Sequence, residues 1–137
     1  MPLSETHSRL PTPDFPLTAP LYLCQKLMPI TWNDFEKIDI RAGTITEVTE
    51  FPEAKKPAYK LTVDFGELGI KRSSAQITMY YSKEELVNRQ VIAVVNFPPK
   101  QIATFISECL VLGVYDENKN VILLQPGKPV TNGMKIG

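Results

Sequence analysis

The chain has 137 residues, 43% of them apolar, which suits one folded domain with a modest core. Its 15 basic and 15 acidic residues cancel, so it is not coated in positive charge, and any polyanion contact has to come from a local patch. Two widely separated cysteines and a single histidine offer neither a metal-type ligand set nor a disulfide framework, so no metal or cofactor is expected and a reducing cytoplasm is the expected location.

Residues 1–27 hold five of the twelve prolines (Pro2, Pro11, Pro13, Pro16, Pro20) and show no helical or strand period, which predicts an extended or disordered tail. Leu21-Tyr22-Leu23-Cys24 faintly resembles a lipoprotein site, but the prolines interrupt the apolar run such a signal needs and no basic head precedes it. No stretch approaches the roughly 20 apolar residues that span a bilayer, so membrane insertion is not expected. The domain proper is placed at residues 28–137.

Thr31 followed by Asp34 predicts a capped short helix through about Lys37. Ile38 to Val48 then alternates apolar and polar residues, a strand with one buried face in which Gly43 marks a bulge or bend. Tyr59–Phe65 is a second strand, Gly66–Gly69 a turn, and Ile70–Met79 a third strand. Ser82-Lys83-Glu84-Glu85 is a capping box opening a helix that ends near Asn88. Gln90–Asn96 is a β-branched run and therefore a buried strand. Leu110–Tyr115 and Val121–Leu124 form a hairpin around 116–120, and Gly127–Gly137 closes with short strands. Three strands, a helix and two further strands predict a mainly all-β fold, a small barrel whose element order suits a five-stranded OB barrel with short helices and terminal extensions.

Catalytic signatures are absent. There is no phosphate-cradling glycine loop, no nucleophile elbow and no His-Glu metalloprotease helix, and the one histidine lies in the tail. Glu84 and Glu85 sit in a helix's first turn, where they complement the dipole. A non-enzymatic protein is expected.

Three stretches point to binding. Lys55, Lys56, Lys60, Lys71 and Arg72 outnumber Asp64 and Glu67 between Ala54 and Arg72, a net +3 segment suited either to phosphates or to a solvated sheet face. Ser73-Ser74-Ala75-Gln76-Ile77-Thr78 offers hydroxyls and an amide from a strand. Asn96-Phe97-Pro98-Pro99-Lys100 ends a ladder rigidly, placing Asn96 and Lys100 beside the barrel face. Cys109, in an apolar run, reads as a small buried hydrophobe.

In order, Asp39-Ile40-Arg41-Ala42-Gly43-Thr44-Ile45, Val63-Asp64-Phe65-Gly66, Gln90 to Asn96, and Ser107 to Leu112 resemble the tRNA-binding domain appended to some methionyl- and phenylalanyl-tRNA synthetases. The resemblance runs from about residue 32 to 137. The sequence departs from the general family at Ala58-Tyr59-Lys60-Leu61, at Ser74-Ala75 and at Asn96-Phe97-Pro98-Pro99. It departs again at Ser107-Glu108-Cys109-Leu110, which lacks the usual glycine and methionine. With Pro52-Glu53-Ala54 and Val130-Thr131-Asn132-Gly133, these variants are similar to the CsaA subfamily of stand-alone cytoplasmic homodimers linked to protein export and chaperone activity.

The resemblance implies a homodimer built partly from N- and C-terminal segments, binding unfolded or pre-export polypeptide or structured RNA across the two-fold groove, with the export machinery as a further partner. Peptide contacts would fall on Phe97, Ile102, Phe105 and Ile106. RNA contacts would use Arg41, Lys56, Lys60, Arg72 and Lys100 on phosphates, with Ser74, Gln76, Asn96 and Ser107 adding hydrogen bonds. The alternative to a chaperone is a tRNA-binding protein acting in trans with a tRNA synthetase.

Overall fold

The computed structural model describes residues 28–137, and these fall into two units that divide after Lys37. The expectations for residues 1–27 lie outside the described residues. In the first unit, α1 (Trp32–Glu36) opens as its sequence predicts: Thr31 Oγ1 accepts from the Asp34 N–H at 3.1 Å, and the Asp34 carboxylate accepts from the Thr31 N–H at 3.0 Å. That backbone hydrogen bond holds the Asp34 carboxyl below its ordinary range.

The second unit is built on five antiparallel strands: β1 (Ile40–Glu50), β2 (Tyr59–Asp64), β3 (Ile70–Ala75), β4 (Gln90–Val94) and β7 (Leu110–Val111), in the order β3-β2-β1-β4-β7. Alternation decides which side chains point inward. On β2, Leu61 and Val63 are fully buried while Lys60 and Thr62 lie on the other face. Leu61 and Val63 join Ile45, Phe65, Leu86, Val91, Ala93 and Cys109 in the core.

The sheet closes on itself where the Glu108 N–H donates to the Arg72 carbonyl at 2.7 Å and the Ser73 hydroxyl donates to the Cys109 carbonyl at 2.9 Å. Strand β3 is thereby sewn to the segment that enters β7. Helix α2 (Lys83–Leu86) lies between β3 and β4 in the chain and starts on the predicted capping box: Ser82 Oγ accepts from the Glu85 N–H at 3.2 Å and the Glu85 carboxylate accepts from the Ser82 N–H at 3.1 Å. Three strands, a helix and two strands that return to the third define the OB fold.

Several boundaries differ from the expectation, each for a physical reason. The irregularity in β1 falls between Ile45 and Glu47, not at Gly43. Gly43 instead lets the Phe65 ring approach: a Cβ there would stand 2.7 Å from that ring. Strand β3 stops at Ala75 because the chain turns Ile77 into the core rather than continuing to Met79. Helix α2 ends at Leu86, since Val87 is extended and Asn88 takes a φ of 69° to send its N–H to the Ile45 carbonyl.

Leu110–Tyr115 is two elements, not one strand. After β7 the chain leaves the barrel through Leu112, and β8 (Gly113–Tyr115) pairs with β9 (Val121–Leu123) as a separate hairpin. Another hairpin, β5 (Lys100–Ile102) with β6 (Phe105–Ser107), was not expected. Its turn holds Ala103 at a φ of 52°.

The C-terminal segment forms no named strand. It runs beside the start of β1, beyond the reach of β2, through an Arg41–Lys135 bridge and bonds from the Ala42 N–H to the Met134 carbonyl (3.0 Å) and from the Ile136 N–H to the Ile40 carbonyl (2.9 Å). No helix among the described residues is long and apolar enough to cross a membrane.

Candidate functional site

The outward face of β2 and β3 carries the predicted cations. Register sets Lys60 opposite Ser74 and Thr62 opposite Arg72, so Lys60, Arg72 and Ser74 share one face. Beneath them lies a small second core. Phe51, Ala58 and Phe105 are buried together, with the Phe51 and Phe105 rings 5.5 Å apart. Lys60 Nζ stands 4.9 Å from the Phe51 ring centre, and the Arg72 guanidinium 4.4 Å from that of Phe105. Cationic side chains laid on aromatic faces are positioned before any ligand arrives. Glu53 pairs with Lys60 at 3.8 Å and tempers this charge.

The loop joining β1 to β2 is pinned at both ends. Phe51 and Ala58 are buried, and the Phe51 N–H donates to the Ala58 carbonyl at 3.2 Å. Lys55 and Lys56 are thus held out at its tip. Facing them across a groove of about 620 Å³ are Ser74 and Gln76 from the end of β3 and Lys100 and Ile102 from β5. Six of the sequence-predicted contacts (Lys56, Lys60, Arg72, Ser74, Gln76 and Lys100) therefore lie on one continuous surface, with Ile102 as its apolar element.

Beside the groove is a smaller hollow of about 310 Å³, lined by Phe97, Pro98, Lys100, Ser107, Glu108, Cys109 and Leu110. Lys100 lines both. The Ser107 hydroxyl donates to the Cys109 carbonyl at 3.4 Å, so it also serves the seam that closes the barrel. Cys109 is buried as its sequence context predicts, and burial pushes its thiol up to about 11.

Three predicted contacts fall elsewhere. Arg41 is held at 2.6 Å by Asp39 and donates to the Gly133 carbonyl at 3.0 Å, near Phe65 and the C-terminal segment, away from the groove. The Asn96 side-chain oxygen accepts from the Asp39 N–H at 2.9 Å, tying the exit of β4 to the approach to β1. Phe105, predicted as an apolar contact, is only 2% exposed and serves as floor beneath Lys60 and Arg72. Ile106, the next residue, faces outward, as Phe97 does. Lys71 leaves the patch because it pairs with the inward-pointing Val63. Sequence reasoning missed Glu53, Glu108 and Leu110 as members of the site, because they reach it through tertiary closure, which has no local signature.

A second apolar surface lies on another side of the unit. Ile40, Ala42, Ile92, Leu112, Leu124 and Ile136 line a shallow groove, with Met134 half exposed beside it.

A closed barrel with a basic, partly apolar groove on its β2–β3 face is the arrangement of an OB-fold polymer-binding domain. The family model described as "Putative tRNA binding domain" matches residues 40–135, and the chain belongs to that tRNA-binding-domain family. It is similar to the methionine–tRNA ligase of Pyrococcus furiosus, 38% identical over 112 residues, which cover 82% of this chain and 15% of the ligase. The chain thus spans a small fraction of the ligases it matches.

Among solved structures, chaperone CsaA of Bacillus anthracis is 52% identical with a TM-score of 0.76, the alignment covering 80% of this chain and 99% of that one. The CsaA chaperone protein of Picrophilus torridus is 59% identical with a TM-score of 0.75, covering 80% and 100%. These findings place the chain with CsaA-like members of the family.

Proposed function

We propose that this protein is a cytoplasmic, homodimeric, non-enzymatic chaperone that holds unfolded or pre-export polypeptides. The observation that carries the reading is the junction of two surfaces: a basic groove and an apolar hollow meet at Lys100, with Phe97 and Ile102 as their apolar elements. A flexible polypeptide presents both backbone polarity and apolar side chains, and such a junction serves both. Similarity to CsaA chaperones over nearly their entire length supports the same reading.

The apolar groove along β1, β4 and the C-terminal segment supports the homodimer. Ile40, Ile92, Leu124 and Ile136 form a face of the kind that oligomer interfaces cover. The test is aggregation suppression: the purified protein at stoichiometric dimer should keep a chemically unfolded client soluble on dilution. Absence of any effect on several clients sinks the reading.

A second reading, tRNA binding in trans with a synthetase, is favoured by the family match and by the prepositioned Lys60 and Arg72. A gel shift with bulk tRNA across a salt series separates the two. Polyanion binding weakens steeply with salt, whereas apolar capture does not.

A further inference from the structure

We infer that Asn132–Gly133 is a modification site gated by the fold. Its asparagine converts to isoaspartate when the C-terminal segment is released, and the conversion then prevents the segment from docking again.

The chemistry begins in the sequence, where Asn132 alone among the asparagines precedes a glycine. Once hydroxide removes the Gly133 N–H proton, that nitrogen can attack the carbonyl carbon of the Asn132 side chain. A nitrogen–carbon bond forms, the bond to Nδ2 breaks, and ammonia leaves with a proton from water, regenerating hydroxide. Water then opens the cyclic imide at either carbonyl and gives aspartate or isoaspartate. Glycine favours the attack because it has no Cβ to crowd the nitrogen and its backbone adapts most freely.

The fold opposes this at both reacting groups. The Gly133 N–H donates to the Ala42 carbonyl at 2.7 Å, so the proton that must leave is engaged. The Asn132 side-chain oxygen accepts from the Thr44 hydroxyl at 2.7 Å and from the Gln90 amide at 3.3 Å, which fixes the carboxamide towards β1 and β4. The turn is fixed as well. The Met134 N–H donates to the Thr131 carbonyl at 3.3 Å, and Gly133 takes a φ of 92° in which a Cβ would stand 2.5 Å from the Phe65 carbonyl oxygen. Exclusion of solvent is not the barrier, because both residues are only half-buried and line a hollow of about 500 Å³ that has room for water. Bonding holds the pair unreactive.

Isoaspartate makes the release permanent. It routes the main chain through the Asn132 Cβ and so inserts one extra atom before Gly133. Ala42 and Thr44, the partners on β1, are spaced for the shorter chain. The freed segment takes Val130, Met134 and Ile136 with it, one wall of the apolar groove.

The experiment incubates the full chain in mildly alkaline buffer, folded or in urea. Mass spectrometry follows the peptide holding Asn132, with electron-transfer fragmentation to separate isoaspartate from aspartate. Conversion should run at least tenfold slower in the folded protein than in urea. Gln90→Ala and Thr44→Val, each shown folded by circular dichroism, should convert severalfold faster than the parent when folded and equally fast in urea. Chains that carry isoaspartate should regain the barrel's far-ultraviolet signal on refolding, yet lose protease protection of the C-terminal segment. Asn132→Asp should keep that protection, since a carboxylate still accepts from Thr44 and Gln90.

Equal rates in the folded and unfolded chain overturn the gate, and no conversion in urea overturns the site. Folded rates unchanged in both variants overturn the bonds assigned to it. Isoaspartate chains as well protected as the parent overturn the lock, as does an Asn132→Asp segment that is equally exposed.

Discussion

The side-chain amide of Gln90 forms two hydrogen bonds with the backbone of Val130, donating to its carbonyl at 2.6 Å and accepting from its N–H at 3.0 Å. One side chain thus supplies the pairing that a neighbouring strand would otherwise give. Asn132 reinforces the link by accepting from the Thr44 hydroxyl at 2.7 Å. The C-terminal segment that lines the apolar groove is held to the barrel by these contacts. Replacing Gln90 with Ala should cost about 1–3 kcal/mol, two hydrogen bonds' worth. Urea unfolding measures the cost, and faster proteolysis after Lys128 should accompany it.

Lys60 and Arg72 are held over aromatic rings on the face that joins the groove. Changing both to Glu should weaken tRNA binding about tenfold or more and lower the slope of log affinity against log salt by about 2. The fold should survive, since both side chains lie outside the main core. An unchanged tRNA affinity would remove this face from any nucleic-acid role.

Gly43 is a packing necessity. An added methyl would meet the Phe65 ring at 2.7 Å and Val63 at 2.8 Å, both deep in the core. Gly43→Ala should destabilise the unit by about 1–3 kcal/mol through overpacking. A chemical denaturation midpoint equal to that of the parent would refute this.

Asp116 accepts a hydrogen bond from the Tyr80 hydroxyl and two from the N–H groups of Asn118 and Asn120. The Tyr80 bond, first among these, holds the Asp116 carboxyl below its ordinary range and raises the Tyr80 hydroxyl above its own. A depressed carboxyl contributes stability above the unfolded value of about 4 and loses it as pH falls through the folded one. A raised phenol works the other way, contributing below about pH 10 and failing as pH rises through its folded value. Asp116→Asn should therefore let one tyrosine titrate earlier in an ultraviolet pH titration, and should flatten the acid limb of stability.

Leu124 stands in the apolar groove of β1, β4 and the C-terminal segment. Leu124→Asp should convert the proposed dimer to monomers without unfolding the barrel, a change that sedimentation velocity reads directly. A wild-type protein that sediments as a monomer removes the dimer.

Local patterns were legible where one residue's chemistry decides the structure. Thr31 with Asp34 and Ser82 with Glu85 announce two helix starts, and both capping boxes form. The alternation of Tyr59–Phe65 identifies the inward residues of β2. What could not be read depends on who lies opposite. Phe105 and Ile106 look alike in the sequence, yet one is floor and the other surface, because the β5–β6 hairpin folds over Phe51 and Ala58. Arg41 has the residue type for a phosphate contact, but Asp39 and Gly133 claim it from 2 and 92 residues away. Ser73 and Ser74 are adjacent hydroxyls with opposite fates, one inside the closing seam and one on the groove.

The bonds from Ala42 and to Ile40 leave the first residues of β1 shielded along a flank that β2 never reaches. Remove the final five residues and that flank becomes a bare row of amides and carbonyls, an open template for another chain. A version clipped before Gly133 would keep its barrel core and its basic groove, yet become a seed for its own precipitation. Any affinity tag or fusion is therefore safer at the opposite terminus.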